Sequence, residues 1–531
     1  MPLSRISKLG WRPAAAAGSL STSRFRLLLL RDDGGVTRNG IWAARAGIAL
    51  EVLLLRLPTL TEPAWYSDDG FFMSVAWLTT QGLRLYSGVY DNSPPAIYWL
   101  YRLMLALGAA QHHVVVQAFA AAAVMASSLL TFEVARRIAP WWPAALAGGL
   151  TGLALSLPVL DGDLLNVELA GLPFFLAGLL LAFHRAPVAA AASGALLCVA
   201  VAFRPSYALD GLAILMLLVT TGRPVARVAS AVAGGAGVAA AVASALWAEG
   251  SLAAYVNTVL PSDHAYLVWA NGGNLSPLYL RLAVLGAASM AGLARSSSLQ
   301  GRVLSVWIPA AIAGAGLAPR ELTHYVHEAI PSLAVGISLL AVKIRRRPLA
   351  ASVAALGLLA AAEAVLVLPA QETARVQGVG APAPFLHNYT YAALPAYYAN
   401  WFEFLSGQKS RSAYDAWFPG QAGKDVAEIA RLQQAADPGP IDIVVVGDRP
   451  WLYVKGGIRP ATPFIATNSS FWRVPWAPGE LTRAIAGGCA EFVIDIDVQA
   501  DWTRALETSA YIPVQGAPWP TFKSVERSPE C

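Results

Sequence analysis

Charge is what this sequence has least of. Only 13% of its 531 residues are Asp, Glu, Lys or Arg, against the roughly 25% usual in soluble domains. A chain so poor in charge cannot cover itself with a solvated surface, which excludes a wholly soluble protein of this size. Cysteine is scarce too: Cys198 lies in an apolar segment, while Cys489 and Cys531 fall in the polar C-terminal part. An exported location permits a disulfide there without requiring one. No charge of one sign is concentrated, because the net +5 is spread over short loops; that leaves no basic patch for nucleic acid. Residues Leu27 to Leu30 are too short for the apolar core of a cleavable signal, and Arg31, Asp32 and Asp33 follow directly, so none is expected. No repeat of 20–50 residues is visible either.

What the chain has in abundance is apolar length. Fifty-six per cent of it is hydrophobic and the mean hydropathy is +0.50, in runs of the length a bilayer crossing needs. They fall near 41–57, 96–108, 114–135, 142–160, 168–183, 188–203, 206–221, 225–247, 277–294, 303–318, 325–342 and 349–368. The basic residues between them set the parity. Were 96–108 a span, Arg136, Arg137, Arg223, Arg227, Arg295, Arg302 and the cluster Lys343 to Arg347 would all lie outside, against the positive-inside rule. That run is short and carries Tyr98, Trp99, Tyr101 and Arg102, which suits a helix at the headgroup level. The expectation is a polytopic α-helical membrane protein with about eleven spans, the amino terminus inside and the carboxyl terminus outside. Residues 1–40 read as a basic cytoplasmic tail, 41–370 as the membrane domain and 371–531 as a small extracytoplasmic α/β domain. The last rests on a helical stretch Lys424 to Ala436 and β-rich runs Ile441 to Val446 and Glu491 to Val498. Phe385 to Phe404, dense in Tyr, Trp and Asn, reads as a loop or a helix on the membrane surface.

This parity turns loops 58–113, 161–167, 248–276 and 319–324 outward together, with a short outer connection at Arg204 and Pro205, and these carry the polar chemistry. Asp68 and Asp69 precede an amphipathic run; adjacent carboxylates can divide labour between taking a proton and binding a metal or orienting the base. The plainer alternative is that they cap the helix that follows. Asp161-Gly162-Asp163, with Asn166 and Glu168, opens the second outer loop, as a D-x-D able to hold a divalent cation or as a capped polar loop. Asp263-His264-Ala265-Tyr266 sits in the long outer loop, with His264 a metal ligand or simply exposed. Arg320, His324 and Tyr325 open a late span, where Arg and His bind a phosphodiester or anchor a helix end; Arg204 has the same two readings. Glu51 and Glu133 lie in apolar segments near Arg45, Arg56, Arg136 and Arg137, and read as structural ion pairs.

The stretch Asp68-Asp69-Gly70-Phe71, Gly82, Tyr86, Asp91 and Ser93-Pro94-Pro95 resembles the first outer loop of the GT-C superfamily, the polyprenyl-phosphate-sugar-dependent glycosyltransferases. The likeness is to the bacterial relatives of the protein O-mannosyltransferases and of the lipid A aminoarabinose transferase. Glu168 with LAGLPFFL, and Pro319 to Tyr325 with Pro331, resemble further stretches of that family. One departure is plain: Ser93 stands where the family has Lys, so a lipid-phosphate contact would fall to Asn92 or Arg102. The resemblance implies a GT-C fold over roughly 41–370 with outer juxtamembrane helices and a C-terminal domain. It implies inverting transfer of a sugar from a polyprenyl-phosphate donor to a hydroxyl of a cell-envelope glycan, glycolipid or protein at the outer face of a bacterial cytoplasmic membrane. Asp68 would be the base; Asp69, Asp91, Glu168, Arg204, Arg320, His324 and Tyr325 would bind substrate; Asp161, Asp163 and His264 would hold a divalent cation if one is used. A multi-span transporter or flippase of a lipid-linked substrate is the alternative, although transporters gather polar groups at the midplane of broken helices and this chain gathers them in outer loops.

Overall fold

The structure, a computed structural model, describes residues 38–318, 323–344, 394–418, 422–467, 471, 474–496, 506 and 511–525. Each run read as a span up to residue 344 is a helix: α1 (Arg38–Arg56), α4 (Val114–Arg136), α5 (Trp141–Ser156), α6 (Val167–Ala182), α7 (Pro187–Phe203), α8 (Tyr207–Thr220), α9 (Pro224–Ala248), α11 (Ser276–Arg295), α12 (Leu299–Ala315) and α13 (Ile330–Ile344). The run 349–368 lies outside the described residues. By length and composition alone, α4, α9 and α11 are long and apolar enough to cross a membrane, and α6, α7, α8 and Ile330–Ala341 are shorter apolar helices. Two boundaries differ from the sequence reading, both at proline. α5 stops at Ser156 because Pro158 cannot extend it, and α13 starts at Ile330, with Pro331 in its first turn, rather than at residue 325. The His324-Tyr325 segment is therefore a 3₁₀ turn, Thr323–Glu328, perched on the helix.

The helices pack through small residues on one side and present apolar side chains on the other. A Cβ on Gly148 would stand 2.7 Å from Ile48 Cδ1, and one on Gly152 2.9 Å from Val52 Cγ2, so this pair of glycines lets α5 lie against α1. Outward, Leu50, Leu53, Leu54, Val232, Leu280 and Met290 are exposed, an apolar exterior that water would not tolerate and lipid does. Arg45 pairs with Glu133 at 2.6 Å and Arg136 with the same carboxylate at 3.0 Å, the structural ion pairs expected for Glu133.

Between α1 and α4 lie two shorter helices, α2 (Ser67–Thr80) and α3 (Pro95–Ala106), packed on each other. α10 (Leu260–Ala270) fills the long loop before α11. After residue 393 come α14 (Leu394–Leu405) and α15 (Arg411–Asp415), whose Tyr397 and Tyr414 cluster with Trp65 and Tyr66, and then α16 (Ala422–Ala435), α17 (Trp451–Gly456) and α18 (Ala477–Ala486) with a five-stranded sheet. Its strands β1 (Asp442–Val446), β2 (Arg459–Pro460), β3 (Phe492–Asp495), β4 (Tyr511–Pro513) and β5 (Thr521–Ser524) run in the order β2-β1-β3-β5-β4. β1 is parallel to β2 and β3, while β5 is antiparallel to β3 and β4. Val444, Val445 and Val446 are all buried, as a central strand covered on both faces requires. Cys489 is disulfide-bonded and Cys198 carries a free thiol.

The sheet is tied to α2. Trp451 Nε1 donates to the Tyr66 carbonyl at 2.8 Å, Ser74 Oγ donates to the Pro450 carbonyl at 2.6 Å, and the Tyr90 amide donates to the Pro463 carbonyl at 2.7 Å. Gly70 makes this approach possible, since a Cβ there would lie 2.8 Å from the Trp451 ring.

Candidate active site

α2 begins after Tyr66, whose extended backbone ends the preceding loop, so Asp68 and Asp69 both fall in its first turn. The helix dipole favours carboxylates there, but helical rotation sends the two in different directions. Asp69 turns into the protein: Tyr101 donates to its Oδ1 at 2.7 Å, and His113 Nε2 lies 3.5 Å from its Oδ2. Asp68 turns into a cavity of about 320 Å³ and makes no hydrogen bond among the described residues. Loss of water pushes its carboxyl up to about 7; His324 opposes the rise, while Asp448, Asp69 and Asp91 add to it. Asp448 follows β1, so the C-terminal sheet contributes to the electrostatics of this carboxylate.

Around Asp68 the cavity gathers side chains from each of the loops that the sequence reading turned to one side. Asn166 caps α6 by accepting from the Leu169 amide at 2.9 Å, which sets Glu168 in the first turn facing inward. Glu168 is ion-paired with Arg204, the residue that ends α7. Arg204 Nε also lies 3.4 Å from Glu328 Oε2 and donates to Ser206 Oγ at 2.8 Å, while its guanidinium stands 4.6 Å over the Tyr325 ring. One cation is thus clamped between two buried carboxylates; Glu168 Oε2 makes no hydrogen bond among the described residues, and Glu328 shares a side-chain hydrogen bond with the buried Asp210. Burial raises the Glu328 carboxyl and Arg204 opposes that.

His324 lines the cavity with its Nδ1 3.0 Å from Asp161 Oδ2, and its backbone amide donates to the same oxygen at 3.1 Å. A carboxylate at Nδ1 fixes the ring and leaves Nε2 for a ligand. Asp161 sits in the left-handed region, φ 54°, to make this contact. On the opposite wall Asp91 accepts from Tyr98 at 2.5 Å; burial raises its carboxyl, and the hydrogen bonds from Tyr98, Asn92 and Ser93 oppose the rise. Tyr325 and Tyr266 share a hydroxyl contact of 2.8 Å.

Of the residues singled out from the sequence, the structure brings Asp68, Asp91, Glu168, Arg204, His324 and Tyr325 to one cavity. Asp69 and Asp161 support that wall from behind, through Tyr101, His113 and His324. Asp163 is buried, and its carboxyl is raised well above the ordinary range by loss of water and by Glu62, with Arg56 opposing. His264 is exposed. The trio Asp161, Asp163 and His264 is not brought together, and among the described residues no group of three His, Cys, Asp or Glu side chains could hold a metal. Arg320 lies outside the described residues. Arg102 is not free to replace the missing lysine: it is bound to Glu249 at 2.6 Å and to Thr79 at 2.8 Å, away from the cavity. Asn92 and Ser93 do line it.

The sequence reading gave no role to one lining residue, Asp263, or to Glu328, which holds Arg204 from behind the wall. Asp263, next to His264, faces the cavity with Tyr266 and Leu267; the spacing i, i+3, i+4 on α10 was the available signal. Loss of water pushes its carboxyl up to about 7, with the hydrogen bond from Asn92 opposing. Glu328 had no local signal, because its role appears only when α7 ends beside the 3₁₀ turn.

Comparison with solved structures identifies the architecture. ArnT from Cupriavidus metallidurans bound to undecaprenyl phosphate is similar at a TM-score of 0.53 and 15% identity, over 92% of this chain and 98% of that one. The apo state of the same protein gives 0.51 and 15%, over 90% and 98%. The archaeal oligosaccharyltransferase AglB from Archaeoglobus fulgidus, in complex with an inhibitory peptide and a dolichol-phosphate, gives 0.43 and 12%, over 91% and 74%. No family model and no curated protein matches the sequence. The chain has the GT-C membrane fold that its outer-loop motifs imply.

Proposed function

We propose that this chain is an inverting glycosyltransferase that moves a sugar from a polyprenyl-phosphate donor to a hydroxyl acceptor at the outer face of the cytoplasmic membrane. The observation that carries the reading is Asp68, a carboxylate without a hydrogen-bonding partner among the described residues, facing a cavity whose far wall holds Arg204 and His324. With its carboxyl at about 7, Asp68 is matched to accept a proton near neutral pH, as a general base requires. The acceptor oxygen, losing its proton to Asp68, attacks the anomeric carbon from the face opposite the phosphate; the bond to the phosphate oxygen breaks and the configuration inverts. Arg204 offers N–H donors, and His324 in its imidazolium form an Nε2–H, to the charge that develops on the leaving phosphate. Glu168 and Glu328 hold Arg204 in place meanwhile. Asp91, Asp263 and Tyr325 remain to bind sugar or acceptor hydroxyls. No step is routed through a metal; Asp161 is taken up by His324.

The outer placement is supported by the basic residues of the intervening loops and by the disulfide at Cys489, a bond that persists in oxidising compartments. That a similar solved structure, ArnT, is bound to undecaprenyl phosphate supports the donor class. Asp68→Asn tests the reading: transfer from a polyprenyl-phosphate sugar should fall by about 10²–10⁴-fold, with thermal stability retained. Turnover like that of the unaltered protein would refute the assignment.

A further inference from the structure

A second cavity, of about 730 Å³, opens where the loop after α1, the entry to α4 and the C-terminal part meet, and it shares no lining residue with the first. Its two acids are already engaged. Glu62 accepts from Tyr397 and Trp65, and Asp415 is ion-paired with Arg411 at 2.9 Å. Its two lysines rest on indole rings instead. Lys455 Nζ stands 4.8 Å over the Trp451 ring and makes no ion pair among the described residues, and Lys424 Nζ stands 4.7 Å over the Trp519 ring in the same way. His113, with 12% of its side chain exposed, also lines the cavity, but its Nε2 is turned to Asp69 Oδ2 at 3.5 Å.

We propose that this cavity binds a phosphate-bearing anion, with Lys455 and Lys424 as its ligands. An ammonium has three N–H donors, and contact with a single indole face does not use all of them, so a donor remains for an anion. Loss of water holds Lys455 below its ordinary range, with Asp425 and Asp415 opposing; an arriving phosphate would add to that counter-charge. The rim carries exposed Leu60 and Val114 at the ends of two helices. On the topology proposed above, that is the level of lipid headgroups, so the anion has two possible sources, a lipid headgroup or a soluble phosphate compound.

The test uses the purified full chain and reads binding rather than transfer. Native mass spectrometry in mixed micelles should retain phosphatidylglycerol over phosphatidylcholine, or calorimetry should record inorganic phosphate, and the Lys455→Gln, Lys424→Gln double variant should weaken whichever is bound by at least ten-fold. Lys455→Arg should retain binding, which separates loss of charge from misfolding. Dependence seen only with phosphatidylglycerol assigns a headgroup; dependence with inorganic phosphate assigns a soluble source. Binding of neither probe, or binding that the double variant leaves unchanged, overturns the proposal. Asp68→Asn should keep this binding whatever its effect on transfer, so the two readings fail separately.

Discussion

At the residue scale the decisive contrast is between two neighbours of identical chemistry. Asp68 and Asp69 could not be told apart by composition, and either could have been a helix cap. Their separation arises because Tyr101 and His113 reach Asp69 while Asp68 meets only the cavity and its distant charges. A carboxyl raised to about 7 is protonated below that pH and ionised above it, so base catalysis should grow as pH rises from 6 to 8. The measurement is single-turnover transfer against pH, and a flat profile over that window would remove Asp68 as the base. The same shift acts on stability in the opposite sense. Because the folded pKa lies above the unfolded one, the contribution is full at low pH and is lost as pH rises through about 7. Arg204 admits a stability test. Arg204→Met leaves Glu168 and Glu328 buried without their cation, which should cost about 3–5 kcal/mol in the thermal or denaturant unfolding of the solubilised protein.

At the scale of elements, the junction between α2 and α17 carries the consequence. Gly70 lies one residue beyond the paired acids, and the family-like motif made it look like part of the chemistry. Its structural task is to admit Trp451, whose ring would lie 2.8 Å from any added Cβ. Gly70→Ala should therefore destabilise by about 1–3 kcal/mol, the cost of overpacking, and should increase proteolysis between α16 and α17. A fully stable, protease-resistant Gly70→Ala protein would mean that the contact between the two parts is dispensable. The missed residues belong to this scale too. Asp263 was legible from helical spacing on α10, whereas Glu328 depends on a turn that Pro331 creates by delaying α13.

For the whole molecule, parity is the claim that a simple experiment can decide. In a Cys198→Ala background, a cysteine at exposed position 512 should react with an impermeant maleimide added to intact cells, and one at exposed position 295 should react only after permeabilisation. The reverse pattern would invert every loop and remove the site from the outer face. The sequence by itself determined the apolar helices, the helical and β-rich character after residue 422 and six polar residues of the cavity's wall, because apolar length, loop charge and short polar motifs are local properties. Only the tertiary structure decided which of two adjacent aspartates faces the cavity, that Arg204 is shared by Glu168 and Glu328, and that Asp263 rather than His264 lines the wall. Each of those depends on the direction of a side chain toward a partner far away in the chain, and loss of water, which retunes the carboxylates, is set by everything that packs around them.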